Sequence, residues 1–404
     1  MKKREKWMKF RHRIAWAILL PIVAVITQIK FPIRVEKHKD QWKRPYLILM
    51  NHQTPFDQFF VAMAFKGPIY FIATEDLLSN GFISKVLRYL VAPIPIKKQA
   101  GDFSAVMTAL RVAREGATIC MAPEGNRTYS GKTEYINPAV AGLAKKMKMP
   151  VALFRLEGGY GMEPRWSSVT RRSVPMRAYV SRVIEPEEYA QMSNEELYLQ
   201  IKDGLYVDEG IADGTYRSSK KAEFLERAIY VCPYCGLAEF ESHGNEAHCK
   251  KCGRTITYGE DKTISGLGFQ FPFRFMTQWY DYQQEFVNHL DLFQFVTEPA
   301  FVDQARMSLV ILNHRKQLLR KDACMRLYGD RVVIDEGRED SLTLNFDEIT
   351  AIACLGRNKL NIYHGSEVYQ FKGSERFNAL KYVNFYYRYK NIARGDTETK
   401  FLGM

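Results

Sequence analysis

Between residues 44 and 186, short runs of consecutive apolar residues alternate with longer stretches in which apolar positions recur every three or four residues. The runs YLILM (46–50), IYFIA (69–73), ATICMA (117–122) and VALFRL (151–156) predict strands buried on both faces. The stretches FDQFFVAMAF (56–65) and FSAVMTALRVARE (103–115) predict amphipathic helices, the second bounded by Asp102 and Gly116. This alternation implies an α/β domain with a mixed sheet. Residues 191–230 read as a charged helical linker, with Ser193 and Glu196 in capping-box spacing. An aromatic helical connector follows at 257–298, and from 299 the pattern turns to strands. A hairpin is expected at His364-Gly365-Ser366. The last pattern is a helix over 375–391, whose packing face would be Phe377, Leu380, Val383 and Tyr387.

Charge changes the picture at the start of the chain. The formal net charge is +13, and residues 1–50 hold 13 Lys and Arg against three acidic residues, a local excess of ten. Within them lies the apolar run 14–27, IAWAILLPIVAVIT. Its length falls short of the roughly 20 residues a spanning helix needs. Flanking cations and Pro21 fit a segment that dips into or lies along an anionic cytoplasmic leaflet. A signal peptide and a helix buried in a soluble core are the competing readings. Residues 1–43 are thus expected to associate with membrane lipids, on the cytoplasmic face of the cell membrane.

The candidate chemistry begins directly after the first strand. In N-H-Q-T-P-F-D, His52 and Asp57 are five residues apart, an offset that separates side chains by about 140° on a continuous helix. A strand-to-helix turn is required for them to meet. Thr54 as N-cap, Pro55 at the first helical position and Asp57 at the third would leave His52 in the loop with a carboxylate reaching back to its ring. A His held in this way is a general base. Helix capping by Asp57 alone is the competing reading. The strand end APEGNRTYSG contributes Glu124, Gly125 and Arg127, the last a bidentate phosphate clamp in principle. Lys97 and Lys98 follow the strand-like IPI and offer further positive charge.

Taken in order, these segments resemble the glycerophospholipid acyltransferases, the 1-acylglycerol-3-phosphate (lysophosphatidate) type in particular. NHQTPFD is similar to that family's His-x-x-x-x-Asp block and APEGNR to its Glu-Gly-x-Arg block, while IPIKK and MPVALFRLEG lie where the second and fourth blocks fall. The resemblance covers roughly residues 14–185. It implies His52 as base, Asp57 as its partner, and Glu124, Gly125 and Arg127 as contacts to the acceptor phosphate. It also implies an acyl-CoA or acyl-carrier-protein thioester as donor. One departure is that the family's second block commonly carries Arg where this chain has Lys97 and Lys98, so a related lysophospholipid acceptor remains open.

The seven cysteines do not form a disulfide framework, which implies a reducing compartment. Cys232-x-x-Cys235 and Cys249-x-x-Cys252 have zinc-ribbon spacing, each second Cys followed by Gly, and predict a closed four-thiolate structural zinc site over 231–256. His243 and His248 read as bystanders. The strands and final helix of 299–395 are reminiscent of a pleckstrin-homology-like or GRAM-like domain. A membrane-tethered zinc-ribbon binding module without acyl transfer is the alternative function. Against it, the positive charge concentrates at the N-terminus rather than around the ribbon, so no nucleic acid partner is expected.

Overall fold

The computed structural model describes residues 6–39, 44–96, 103–172, 175–311, 316–395 and 401–403. The chain divides into two units. The first comprises residues 1–97, 101–164 and 173–209, and the second comprises 98–100, 165–172 and 210–404.

The first unit is built on a seven-stranded mixed sheet. In chain order its elements are α1 (Phe10–Lys30), β1 (Ile33–Val35), β2 (Leu47–Met50), α2 (Asp57–Ala64), β3 (Ile69–Thr74), α3 (Phe82–Leu90), β4 (Ile94–Ile96) and α4 (Phe103–Arg114). Then come β5 (Thr118–Met121), α5 (Ala139–Met147), β6 (Val151–Glu157), α6 (Gly159–Met162), β7 (Met176–Ile184), α7 (Pro186–Ala190) and α8 (Asn194–Leu205). The strand order is β1-β7-β6-β2-β5-β3-β4. Strands β2 to β6 run parallel, while β7 is antiparallel to β6 and parallel to β1. The central β2 is LILM, and all four residues are buried, as a strand covered on both faces requires.

This order decides where loops gather. After β2 the chain moves to one side of the sheet through β3, β4 and β5, then crosses β2 to reach β6 on the other. The carboxyl ends of β2, β5 and β6 are therefore neighbours at the point where the sheet switches direction, a position at which open α/β sheets form their crevices.

Several expectations are corrected. Helix α1 is 21 residues long rather than 14, because Arg11, His12 and Arg13 at one end and Lys30 at the other join it. It is long and apolar enough to cross a membrane, and only 17% of its most apolar window is buried, which disfavours a core helix. Helix α2 starts at Asp57, with Phe56 rather than Thr54 at the cap position. The region 191–230 is not one linker. The capping box is present, with Glu196 N–H donating to Ser193 Oγ and Ser193 N–H to the Glu196 carboxylate. Yet Leu197, Ile201 and Leu205 recur at a spacing of four and bury the resulting helix α8 in the first unit's core with Val151 and Leu153. The cap expected of Asp102 lies outside the described residues.

The second unit begins with the two-stranded β8 (Val231–Cys232) and β9 (Gly236–Leu237), followed by the antiparallel β10 (Phe240–His243), β11 (Glu246–Cys249), β12 (Thr255–Tyr258) and β13 (Ile264–Gly266). Helix α9 (Met276–Asn288) is tied to the first knuckle by Trp279 Nε1–H donating to the Val231 carbonyl at 2.9 Å. The remaining strands are β14 (Phe301–Leu309), β15 (Gln317–Leu327), β16 (Arg331–Ile334), β17 (Leu342–Asn345), β18 (Ile349–Leu355), β19 (Lys359–His364) and β20 (Glu367–Gly373). They form one antiparallel sheet in the order β17-β16-β15-β14-β20-β19-β18. The expected hairpin joins β19 to β20, with His364 opposite Glu367 and Gly365 at φ +57°. Helix α10 (Leu380–Ala393) packs on β18, and Tyr386 donates to the Ile349 carbonyl at 2.9 Å. It begins later than the sequence pattern implied because Asn378 Oδ1 accepts from the amides of Leu380 and Lys381, which fixes the first turn there. Phe377 is buried but precedes the helix.

Candidate active site

The loop 51–56 leaves the central strand β2 and is closed by the first residue of α2. Asp57 is fully buried, and its carboxylate turns back over the loop instead of along the helix. Oδ2 accepts from His52 Nδ1 at 2.7 Å and from the Gln53 amide at 2.7 Å. The Thr54 amide lies 3.0 Å from both oxygens, and the Thr54 hydroxyl donates to Oδ1 at 2.6 Å. Thr54 Oγ1 in turn accepts from the Phe56 amide at 3.1 Å. Asp57 thus draws Thr54 into the turn and postpones helical geometry to its own position, the physical reason for the shifted cap. Capping and His orientation are performed by one carboxylate.

Donating from Nδ1 to Asp57 fixes the neutral tautomer of His52 with its proton on that nitrogen and a lone pair on Nε2. The ring is partly exposed, 23% against 0% for Asp57, and no hydrogen-bond partner of Nε2 is found among the described residues. The arrangement presents a basic nitrogen at the sheet's switch point, backed by a buried anion.

Two further clamps hold this turn. Asn51 mimics a backbone strand where the ladder ends, donating to the Leu156 carbonyl at 2.9 Å and accepting from the Leu156 amide at 2.7 Å. Gln53 Oε1 accepts from the Gly159 amide at 2.8 Å. The approach is so close that a Cβ on Gly159 would lie 2.6 Å from Gln53 Oε1 and 2.9 Å from its Cβ, so only glycine fits there.

The loop after β5 completes the site's frame. Glu124 is 7% exposed, and its carboxylate accepts from the His52 amide at 2.8 Å and from the Glu134 amide at 2.7 Å. The Thr128 amide donates to the His52 carbonyl at 3.0 Å, so the backbone of His52 is gripped on both sides by this loop. Glu134 Oε1 accepts from the hydroxyls of Thr128 and Ser130 at 2.9 and 3.0 Å and from the Tyr129 amide at 3.3 Å. Burial pushes the Glu124 carboxyl well above the usual carboxylate range, opposed in part by the Glu134 and His52 amides. Burial likewise raises Glu134. Gly125 sits at φ +72° with open space where a Cβ would project, so its left-handed backbone rather than close packing calls for glycine. Arg127 is half-buried on this loop. Lys97 and Lys98 lie outside the described residues. Helix α1 ends beside the same turn, with Lys30 Nζ 2.8 Å from the Glu163 carboxylate and 4.4 Å from the centre of the Phe56 ring.

Asn51, Gln53, Gly159 and Glu134 were not singled out from the sequence. Asn51 alone carried a signal, as a polar residue at the end of a fully apolar strand.

In the second unit the Sγ atoms of Cys232, Cys235, Cys249 and Cys252 all lie within 4.8 Å of one another, with Cys232–Cys252 at 3.8 Å and Cys235–Cys249 at 3.5 Å. A tetrahedral zinc with bonds of about 2.3 Å needs sulfur–sulfur edges of about 3.8 Å, so the four thiols fit that ion. Gly236 and Gly253 take φ of +76° and +73°, the left-handed turn each knuckle needs. The side chains of His243 and His248 are exposed beside Glu241 and stand outside the cluster.

Comparison with known proteins places one stretch of the chain. Residues 32–153 match the family model described as Acyltransferase. No curated protein matches. Among solved structures, the 1-acyl-sn-glycerophosphate acyltransferase PlsC from Thermotoga maritima is similar at 20% identity and a TM-score of 0.41, over 49% of this chain and 80% of that one. The matched stretch contains both the His52–Asp57 turn and the Glu124–Arg127 loop, and this chain therefore carries an acyltransferase-family enzyme domain.

Proposed function

We propose that the chain transfers a fatty acyl group from an acyl-CoA or acyl-carrier-protein thioester to the free hydroxyl of 1-acylglycerol-3-phosphate or a related lysophospholipid. The observation that carries this is the 2.7 Å bond between His52 Nδ1 and the buried Asp57 carboxylate, within a stretch that matches the acyltransferase model. In this reading His52 Nε2 removes the hydroxyl proton as the acceptor oxygen bonds to the thioester carbonyl carbon. The carbon–sulfur bond of the resulting tetrahedral species breaks, and the leaving thiolate recovers the proton from the imidazolium, giving an ester and a free thiol. Asp57 stabilises the imidazolium meanwhile.

Arg127, on the left-handed turn set by Gly125, is the phosphate ligand in this scheme, with Lys97 and Lys98 as additional cations. Glu124 is reassigned. A buried carboxylate engaged by two backbone amides positions the His52 loop and is poorly suited to face an anionic phosphate. The four cysteines hold a structural zinc, with no open coordination position for chemistry. Residues 299–395 are read as a pleckstrin-homology-like module. Helix α1 associates with the lipid surface that supplies the acceptor, at the cytoplasmic face.

The test is acyl-thioester consumption by purified protein with lipid vesicles and a panel of lyso-acceptors, read by mass spectrometry of the products. Consumption is expected only with a lysophosphatidate-like acceptor and is abolished in His52→Ala. Full activity of that variant would overturn the mechanism.

A further inference from the structure

Helix α3 is built inside out. Its sequence, FISKVLRYL, has the amphipathic pattern of an ordinary packed helix, yet its fully buried residue is Ser84. The Ser84 hydroxyl donates to the Leu77 carbonyl at 2.9 Å and accepts from the Asn80 amide at 2.8 Å, so the inward side of the helix is satisfied by polar bonds. Leu87 and Leu90 are half-buried, but the other apolar residues face out. Phe82 is 79% exposed, Ile83 64%, Val86 38% and Tyr89 59%. Isolated exposed apolar residues are ordinary, but four on one helical face next to a second such face are not.

The second face belongs to α1, which buries His12, Ala15 and Thr27 while exposing Phe10, Ile14 and Ile18. The two helices are fastened together. Arg11 Nε–H donates to the Tyr89 carbonyl at 3.0 Å and its guanidinium stacks 4.3 Å from the Tyr89 ring centre, while Trp7 Nε1–H donates to the Ala92 carbonyl at 3.0 Å. Both expose apolar side chains to solvent where they meet in the first unit. Helix α3 also carries an exposed Lys85, a half-buried Arg88 and no acidic residue.

We propose that α3 is a second membrane contact, lying in the headgroup–acyl boundary of an anionic phospholipid leaflet with Phe82, Ile83, Val86 and Tyr89 inserted and Lys85 and Arg88 among the headgroup phosphates. This rests on the reading of α1 as membrane-associated and adds to it a surface that sets the orientation of the domain. One contact leaves a domain free to swivel about α1, whereas two fix how the His52 turn faces the lipid. The cations select lipid over a second copy of this chain. A two-fold pairing through this face would set Lys85, Arg88 and Arg11 against their own symmetry mates, whereas anionic headgroups neutralise them.

The experiment is flotation of the full chain with vesicles of phosphatidylcholine, alone or containing about one third phosphatidylglycerol. Four residues exposed on the lipid side make the F82S/I83S pair tolerable to the fold, and its thermal midpoint is expected to match the wild type. Its vesicle partitioning is expected to fall about tenfold or more. K85E/R88E is expected to lose about fivefold per cation on the anionic vesicles and little on the neutral ones. Acyl transfer to a detergent-dispersed acceptor should be unchanged in F82S/I83S. Wild-type partitioning of F82S/I83S together with loss in I18S/I22S would overturn the role of α3 and leave that of α1 standing, and retention in both pairs would overturn both. A lipid-free dimer abolished by F82S/I83S, or loss of detergent activity in that variant, would also overturn the proposal.

Discussion

Asp57→Asn isolates the charge of the proposed dyad from its geometry. Both the Gln53 and Thr54 amides aim at Oδ2, at 2.7 and 3.0 Å, and His52 Nδ1 meets the same atom. An asparagine would place its carbonyl oxygen there, because the reverse orientation sets an NH2 group against two backbone donors. The amide NH2 then takes the position of Oδ1, where the Thr54 hydroxyl, now a donor at 2.6 Å, rotates to accept. The tautomer of His52 survives, and besides the negative charge the loop loses only the Thr54 amide's second contact, at 3.0 Å.

The magnitude follows from Coulomb's law. Two unit charges about 4 Å apart at an effective dielectric near 20 attract by about 4 kcal/mol, which is the stabilisation the imidazolium would forfeit. At about 1.4 kcal/mol per decade this is a loss of about 10^3 in kcat. The partial exposure of His52 screens some of it, so about 10^2 is the lower bound. The assay is acyl transfer at saturating donor and acceptor, alongside urea unfolding. Asp57→Asn is expected to keep KM within about threefold and unfolding stability within about 1 kcal/mol. A kcat within about threefold of the wild type would refute the reasoning, since it would leave Asp57 as a helix cap and nothing more.

Three other expectations follow from the same geometry. Glu124→Ala strands the buried amides of His52 and Glu134, at about 1–3 kcal/mol each, so urea unfolding should show a loss of about 2–6 kcal/mol, with Glu124→Gln intermediate; an Ala variant as stable as the wild type would remove the clamp from the scheme. Because burial raises the Glu134 carboxyl, its protonated form is favoured in the folded state, and the stability this brings is full below about pH 4.3 and is lost as pH rises towards the raised value. Glu134→Gln does not titrate, and its thermal midpoint relative to the wild type should climb over that window; a pH-independent difference would contradict this. Elemental analysis should find about one zinc per chain, and Cys249→Ser should lose it and unfold at lower temperature; a metal-free protein of unchanged stability would remove the zinc site.

What could be read from the sequence follows the range of the forces involved. The run LILM identifies a strand buried on both faces, and the turn that brings Asp57 to His52 is closed within six residues, so local chemistry suffices to foresee it. The cysteine knuckles are local for the same reason, each Cys-x-x-Cys-Gly being its own turn. By contrast, Asn51 finds its partner 105 residues away at Leu156, and the value of Glu134 depends on Glu124 ten residues earlier folding over it. Neither pairing has a period or a spacing to betray it. The sequence of helix α8 reads as linker because a charged surface conceals how deeply Leu197, Ile201 and Leu205 are buried.

Helix α3 marks a different boundary. Its amphipathic pattern is plain, but periodicity says only that one side of a helix is apolar and is silent on which side the protein covers. The default assumption, that the apolar side packs inward, would place Phe82, Ile83 and Val86 in the core and Ser84 in water. The structure has the reverse, with Leu77 and Asn80 satisfying the buried Ser84 from the turn just before the helix. An apolar face left uncovered on a folded unit is a contact surface in waiting, so the orientation of the helix, rather than its composition, is what the proposed lipid contact rests on.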